Sequence, residues 1–153
     1  MTPSYEQNLR DLGYTLEPLA DLRQGRFMRA VRTGNLVYTA GHVPNFGGEA
    51  IYGKVGGDLT VEQGYAAARL ATLAALQSVK TLIGSLDSVA QMVKVLGLVN
   101  AAPGFVDTPS VIHGCSDLLH AVFGDAGHHA RSAVGVIIPH NYAVEIELIV
   151  EVA

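Results

Sequence analysis

Arg131 lies in the run His129-Ala130-Arg131-Ser132-Ala133, and three carboxylates lie in Val144-Glu145-Ile146-Glu147-Leu148-Ile149-Val150-Glu151. Both runs otherwise read as buried strand. A guanidinium can hold a carboxylate through two parallel hydrogen bonds, and a carboxylate beside a water molecule can accept its proton. The same groups can also neutralise one another, with Arg131 as an ion-pair partner of Glu145 or Glu147 across adjacent strands. Alternation puts Val144, Ile146, Leu148, Val150 and Val152 on one face and Glu145, Glu147, Ile149 and Glu151 on the other. Glu151 fits a wet edge. Glu145 and Glu147 lie deeper, and their face must be wet, paired with a cation or covered by another subunit, because an unpaired buried carboxylate costs several kcal/mol.

Other reactive side chains are less telling. His128 and His129 are neighbours and cannot share one face of a strand, so they read as a surface loop from which one imidazole could line a cleft. His42, His113, His120 and His140 are isolated, no metal-ligand spacing links them, and no metal is expected. Cys115 falls on an apolar helical stripe and reads as a small buried thiol. Gly47-Gly48 and Gly53 to Gly57 enclose Lys54 but lack the spacing of a phosphate-binding loop, and read as a flexible turn.

The elements that must position these residues follow from periodicity and punctuation. Ser4 and Gln7, with Tyr5, Leu9 and Leu12 at helical spacing and Gly13 as a stop, predict a short capped helix that looks like an addition to the main domain. Phe27 to Val31 and Leu36 to Ala40 predict strands around the turn Thr33-Gly34-Asn35, and Gly41 through Tyr52 a loop. Thr60 as N-cap and an apolar stripe from Val61 to Ile83 predict one long helix ended by Gly84. Val89 to Asn100 favours a strand. Thr108 as cap and Pro109 at the first helical position predict a second helix, ended by Gly124. Ala133 to Ile138 and Ala143 to Val152 complete the set as strands. This order implies an α+β two-layer sandwich, a mixed sheet with two helices on one face and the other face left for solvent or partner subunits.

At 153 residues the chain is expected to form one domain. It is apolar for a soluble protein, which points to an oligomer, yet no apolar run approaches the ~20 residues of a membrane span. Glu6, Arg10 and Asp11 stand where a signal peptide needs an apolar core, and one cysteine excludes an internal disulfide framework, so a cytoplasmic location is the expectation. The net charge of −4 and ten scattered basic residues leave no footprint for a phosphate backbone, and neither nucleic acid nor membrane is expected as a partner.

Several strings, in order, resemble the Rid family, also called the YjgF or L-PSP family. They are Gly25-Arg26-Phe27-Met28-Arg29-Ala30-Val31, Leu36-Val37-Tyr38-Thr39-Ala40-Gly41-His42-Val43-Pro44, Glu62-Gln63, Val93-Lys94-Val95, Ala130-Arg131-Ser132 and Val144-Glu145-Ile146-Glu147. The resemblance spans about Gly25 to Val152, dividing the chain into an N-terminal extension, residues 1–24, and a single Rid-like domain, residues 25–153. It implies a chorismate-mutase-like fold and a homotrimer with clefts between subunits. It also implies a cofactor-independent hydrolase that converts 2-imino or 2-enamino acids to 2-oxo acids and ammonia. On that resemblance Arg131 holds the carboxylate of the ligand, Glu145 activates water, and backbone at Gly41 and Ala133 orients the substrate, with Phe27 and Ser116 also at the site.

The chain departs from the family pattern in several places, and its N-terminal helix and His128-His129 before the arginine mark a divergent branch. Phe27 stands where a tyrosine is common, Ala133 where many deaminases have cysteine, and Ser116 is nearest in register to a missing asparagine. These departures keep open a trimeric protein that binds or senses a small carboxylate without catalysis. The family's older label of endoribonuclease or translation inhibitor would require a basic groove and stacking aromatics, and this acidic chain shows neither.

Overall fold

The computed structural model describes residues 4–153. Ser4 caps α1 (Tyr5–Asp11) by accepting a hydrogen bond from the Gln7 amide, and Gly13 turns the chain away at a φ of 91°. Leu9 and Leu16 are buried, the Tyr5 ring meets Phe123 edge-on at 4.9 Å, and the Asn8 side-chain amide donates to the Val122 carbonyl.

A small hairpin, β1 (Arg23–Gln24) and β2 (Phe27–Met28), precedes β3 (Ala30–Thr33), which turns at Gly34 into β4 (Leu36–Thr39). The expected first strand is thus divided, with Arg29 between its pieces. The expected loop from Gly41 to Tyr52 contains a second small hairpin, β5 (Asn45–Phe46) and β6 (Glu49–Ala50).

Thr60 and Gln63 form a complete capping box, each side chain bonding the other's backbone amide, and start α2 (Val61–Ile83), which ends at Gly84. β7 (Val89–Asn100) follows. α3 (Thr108–Phe123) begins differently from the expectation: Asp107 is its N-cap without a side-chain cap bond, and Thr108 is already helical. The Thr108 hydroxyl instead donates to the Ala133 carbonyl at 2.9 Å, tying the helix start to the neighbouring strand. That strand, β8 (Ala130–Val136), starts three residues earlier than expected and so takes in Arg131; β9 (Val144–Val152) ends the chain's regular structure.

The main sheet has the order β3-β4-β9-β7-β8, with β7 and β8 parallel and the other neighbours antiparallel. α2 and α3 cover one face. Val37, Val95, Val99, Ile146, Leu148 and Val150 point into that layer and are fully buried against helix residues such as Ala71, Leu76, Ile112 and Leu118. Close packing there depends on small residues: a Cβ at Gly114 would lie 2.1 Å from the Tyr65 carbonyl oxygen, so α3 crosses α2 nearly backbone to backbone. The other face carries Glu145, Glu147 and Ile149, half-buried, beside the exposed Tyr38. The fold is the expected α+β sandwich. Among the described residues no helix is long and apolar enough to cross a membrane.

Candidate functional site

Arg131 sits on β8, an edge strand, opposite Val95 of β7. Val95 is buried under the helices, so Arg131 projects to the helix side. There its Nη1 donates to His113 Nδ1 at 2.9 Å and to Ser116 Oγ at 3.2 Å. Because the guanidinium can only donate, His113 Nδ1 is the acceptor and its proton resides on Nε2. The same logic orients His129: the Gly127 carbonyl takes a hydrogen bond from Nδ1–H at 2.6 Å, which leaves Nε2 to accept from the Ser116 hydroxyl at 2.9 Å. Arg131, Ser116 and His129 thus form a directed chain ending on backbone. Burial holds the His129 imidazole below its usual range; the Gly127 hydrogen bond opposes this, and the nearby His120, Arg131 and His128 add to it.

His120 and His128 complete this pocket, with ring centroids 4.9 Å apart, and Asp117 lies at its edge accepting from the Tyr65 hydroxyl at 2.7 Å. The pocket encloses about 440 Å³. Arg131 has no carboxylate partner in it. The ion pair with Glu145 or Glu147 across adjacent strands does not form, because β7 separates β8 from β9 and Arg131 faces the helices. The His128-His129 segment is a loop with His128 exposed, and His129 is the imidazole that lines the cleft, half-buried and hydrogen-bonded within the site.

Glu145 belongs to a second pocket, of about 660 Å³, shared with Phe27, Arg29, Gly41, His42, His140 and Tyr142. It pairs with Leu98 of β7 on the face away from the helices. Gly41 is what admits it, for a Cβ there would stand 2.5 Å from Glu145 Oε2. Burial raises the Glu145 carboxyl above its ordinary range, and the like charge of Glu147 adds to the rise. His42 bridges to Ile146 by a pair of 2.8 Å backbone bonds and is buried, with Nδ1 donating to the Ala40 carbonyl and Nε2 accepting from the Ser78 hydroxyl at 2.8 Å. Burial keeps this imidazole below its usual range; the Ala40 bond opposes it and the charge of Arg29 reinforces it.

The wall of this pocket is held under strain. His140 and Asn141 have φ of 58° and 61°, unusual for residues with side chains, and Asn100 secures the turn by donating to Asn141 Oδ1 at 3.0 Å and to the Gly53 carbonyl. The Tyr142 and Tyr52 rings stack beside the turn with centroids 4.6 Å apart.

The six residues expected at a site therefore divide. Phe27, Gly41 and Glu145 meet in one pocket; Arg131 and Ser116 meet in the other, with Ala133 two residues along β8 and its carbonyl bonded to Thr108. Sequence reasoning missed the imidazole cluster, although His113, Ser116, Asp117 and His120 have the i, i+3, i+4, i+7 spacing of one helical stripe. It also missed Arg29. Cys115 is fully buried, its thiol pushed up to about 12 by desolvation, and takes no part. Among the described residues no group of three or more His, Cys, Asp or Glu is arranged to hold a metal ion.

Known proteins resemble this chain along nearly its whole length. Protein TCP17 of Trypanosoma cruzi is 38% identical over 147 residues, covering 94% of this chain and 91% of its own. The crystal structure of Atu1372 from Agrobacterium tumefaciens matches with a TM-score of 0.87 and 37% identity, over 97% of this chain and 92% of that one. A putative endoribonuclease from Shewanella oneidensis MR-1 matches with a TM-score of 0.91 and 32% identity, over 98% and 100%. The family model described as "YjgF/chorismate_mutase-like, putative endoribonuclease" matches residues 12–152, a span that contains both pockets and every strand of the main sheet. By sequence and by fold, this chain belongs to the YjgF/Rid family.

Proposed function

We propose that the protein is a cofactor-independent imine hydrolase whose site forms between copies of the chain in a trimer, the Arg131 pocket of one copy meeting the Glu145 pocket of another. The observation that carries this reading is the division itself. Each half is built and braced, yet a carboxylate anchor and a water-activating base on opposite faces of one sheet cannot serve the same small ligand within a single chain. The half-buried face around Glu145 and Glu147 fits cover by a second copy.

Both intramolecular hydrogen bonds of the Arg131 guanidinium are made from Nη1, which fixes the plane of the fork and leaves its other donors for a ligand carboxylate. With the ligand so held, the Glu145 carboxylate takes a proton from water as the water oxygen adds to the imine carbon. The imine nitrogen takes up that proton to give a carbinolamine; the carbinolamine hydroxyl then gives its proton to Glu145 as the nitrogen takes a second one, the carbon–nitrogen bond breaks, and ammonia leaves a 2-oxo acid. A carboxyl whose burial raises its pKa can both accept and return that proton. The net charge of −4 and the scattered basic residues favour this over RNA cleavage.

Phe27 supports a second reading. It brings a bare ring, without a hydroxyl, into the Glu145 pocket, which suits a protein that binds carboxylates without turning them over. Imine decay separates the two. 2-Iminopropionate and a bulkier 2-imino acid, generated by an amino acid oxidase, should disappear faster with the wild type and not with Arg131→Ala. No acceleration by the wild type would leave the binding reading.

A further inference from the structure

Arg29 stands between β2 and β3 with its backbone paired on both sides, its amide donating to the Leu22 carbonyl and its carbonyl accepting from the Ala40 amide, each at 2.8 Å. This fixes its side chain at the Glu145 pocket, next to the residue preceding Gly41. None of the hydrogen bonds or ion pairs among the described residues engages its guanidinium, and Nε is buried with no acceptor at all. A part-desolvated cation with an orphan donor carries a free-energy cost that an anion in the pocket would offset.

The pocket's own carboxylate does not fill that role. Glu145 lies in the same pocket, but among the described residues no ion pair or hydrogen bond joins it to Arg29. His42 and His140 are the other ionisable neighbours besides Tyr142, and Arg29 itself helps keep His42 uncharged. Phe27 and Tyr142 offer apolar surface beside the guanidinium. At about 660 Å³ the cavity is larger than a three-carbon acid needs.

We propose that Arg29 receives a second carboxylate, so that the preferred ligands are 2-imino and 2-oxo acids with a carboxylate at the end of a short side chain. The inference rests on the hydrolase reading for one point, that the ligand's first carboxylate is held by Arg131 of a neighbouring copy. Two guanidiniums then grip the two ends of the ligand, and the carbon chain between them lies against Phe27. A monocarboxylate of similar length leaves Arg29 desolvated and unpaired, which is the source of discrimination.

Equilibrium binding to the full-length protein tests this without requiring turnover. 2-Oxoglutarate and 2-oxobutanoate serve as stable probes, titrated into wild type, Arg29→Gln and Arg29→Lys at one pH and ionic strength. The wild type should bind 2-oxoglutarate at least about tenfold more tightly, Arg29→Gln should bring the ratio to within about threefold of unity, and Arg29→Lys should keep part of the preference. A wild-type ratio near one, a ratio unchanged in Arg29→Gln, or no binding of either acid overturns the proposal. If Arg29 instead neutralises a carboxylate of a second copy, Arg29→Gln lowers the assembly mass in sedimentation while the ratio stays, which also overturns it. Imine decay run beside the titration keeps the claims apart: a preference without hydrolysis removes the enzyme alone, and hydrolysis without a preference removes the role of Arg29 alone.

Discussion

Arg131 and Glu145 stand two strands apart on opposite faces of one sheet, with β7 between the strands that carry them. Neither neutralises the other. Each is instead set in its own polar surroundings, Arg131 against Ser116 and His113, and Glu145 against Gly41 and Glu147.

Gly41→Ala separates function from stability. The added methyl would meet the end of the flexible Glu145 side chain, which can swing aside, so the fold should lose less than about 1 kcal/mol. Displacing the base should slow imine hydrolysis at least about tenfold. Denaturant midpoints and imine decay measure the two effects, and full activity in the variant would remove Glu145 from its role.

Gly114→Ala should do the reverse of a surface change. Its methyl would meet the Tyr65 backbone carbonyl, which cannot move without shifting α2, and the expected loss is about 3 kcal/mol or more. A melting temperature close to the wild type would contradict the backbone-to-backbone crossing.

Stability should fall in mild acid because of the buried imidazoles. His42 and His129 have folded pKa values below the unfolded 6.5, so from there down to the folded value the unfolded chain binds more protons. Their contribution is present above pH 6.5 and is lost as pH falls through the folded pKa. Glu145 acts with the opposite sign in a more acidic window, its raised pKa lowering stability as pH rises above 4.5. His42→Gln should reduce the loss between pH 7 and pH 5, measured by urea unfolding at the two pH values. Parallel pH profiles for the two proteins would refute it.

The sheet layer was legible wherever apolar residues alternate, as from Val144 to Val152, and α2 was legible from the capping box at Thr60 and Gln63 together with Gly84. β8 was harder to bound. Ala130, Ser132 and Gly135 break the apolar alternation, and the strand is held by its parallel pairing to β7, which no local pattern encodes. The direction of Arg131 depended on that boundary. The hairpins at Arg23–Met28 and Asn45–Ala50 have strands of two residues, too short to show a period. The imidazole cluster joins α3 to the turn before β8, so its members look isolated along the chain. Arg29 was read only as part of a family string, because its lack of a partner is a property of the folded surroundings.

The most direct test of a site shared between copies is subunit complementation. Arg131→Ala and Glu145→Gln, each expected to be inactive alone, are unfolded together, refolded and assayed for imine decay. Where Arg131 comes from a Glu145→Gln copy and Glu145 from an Arg131→Ala copy, the site is whole, and random mixing should restore about a quarter of wild-type activity. Activity no greater in the mixture than in the separate variants, with mixed assemblies shown to form, would contradict the shared site.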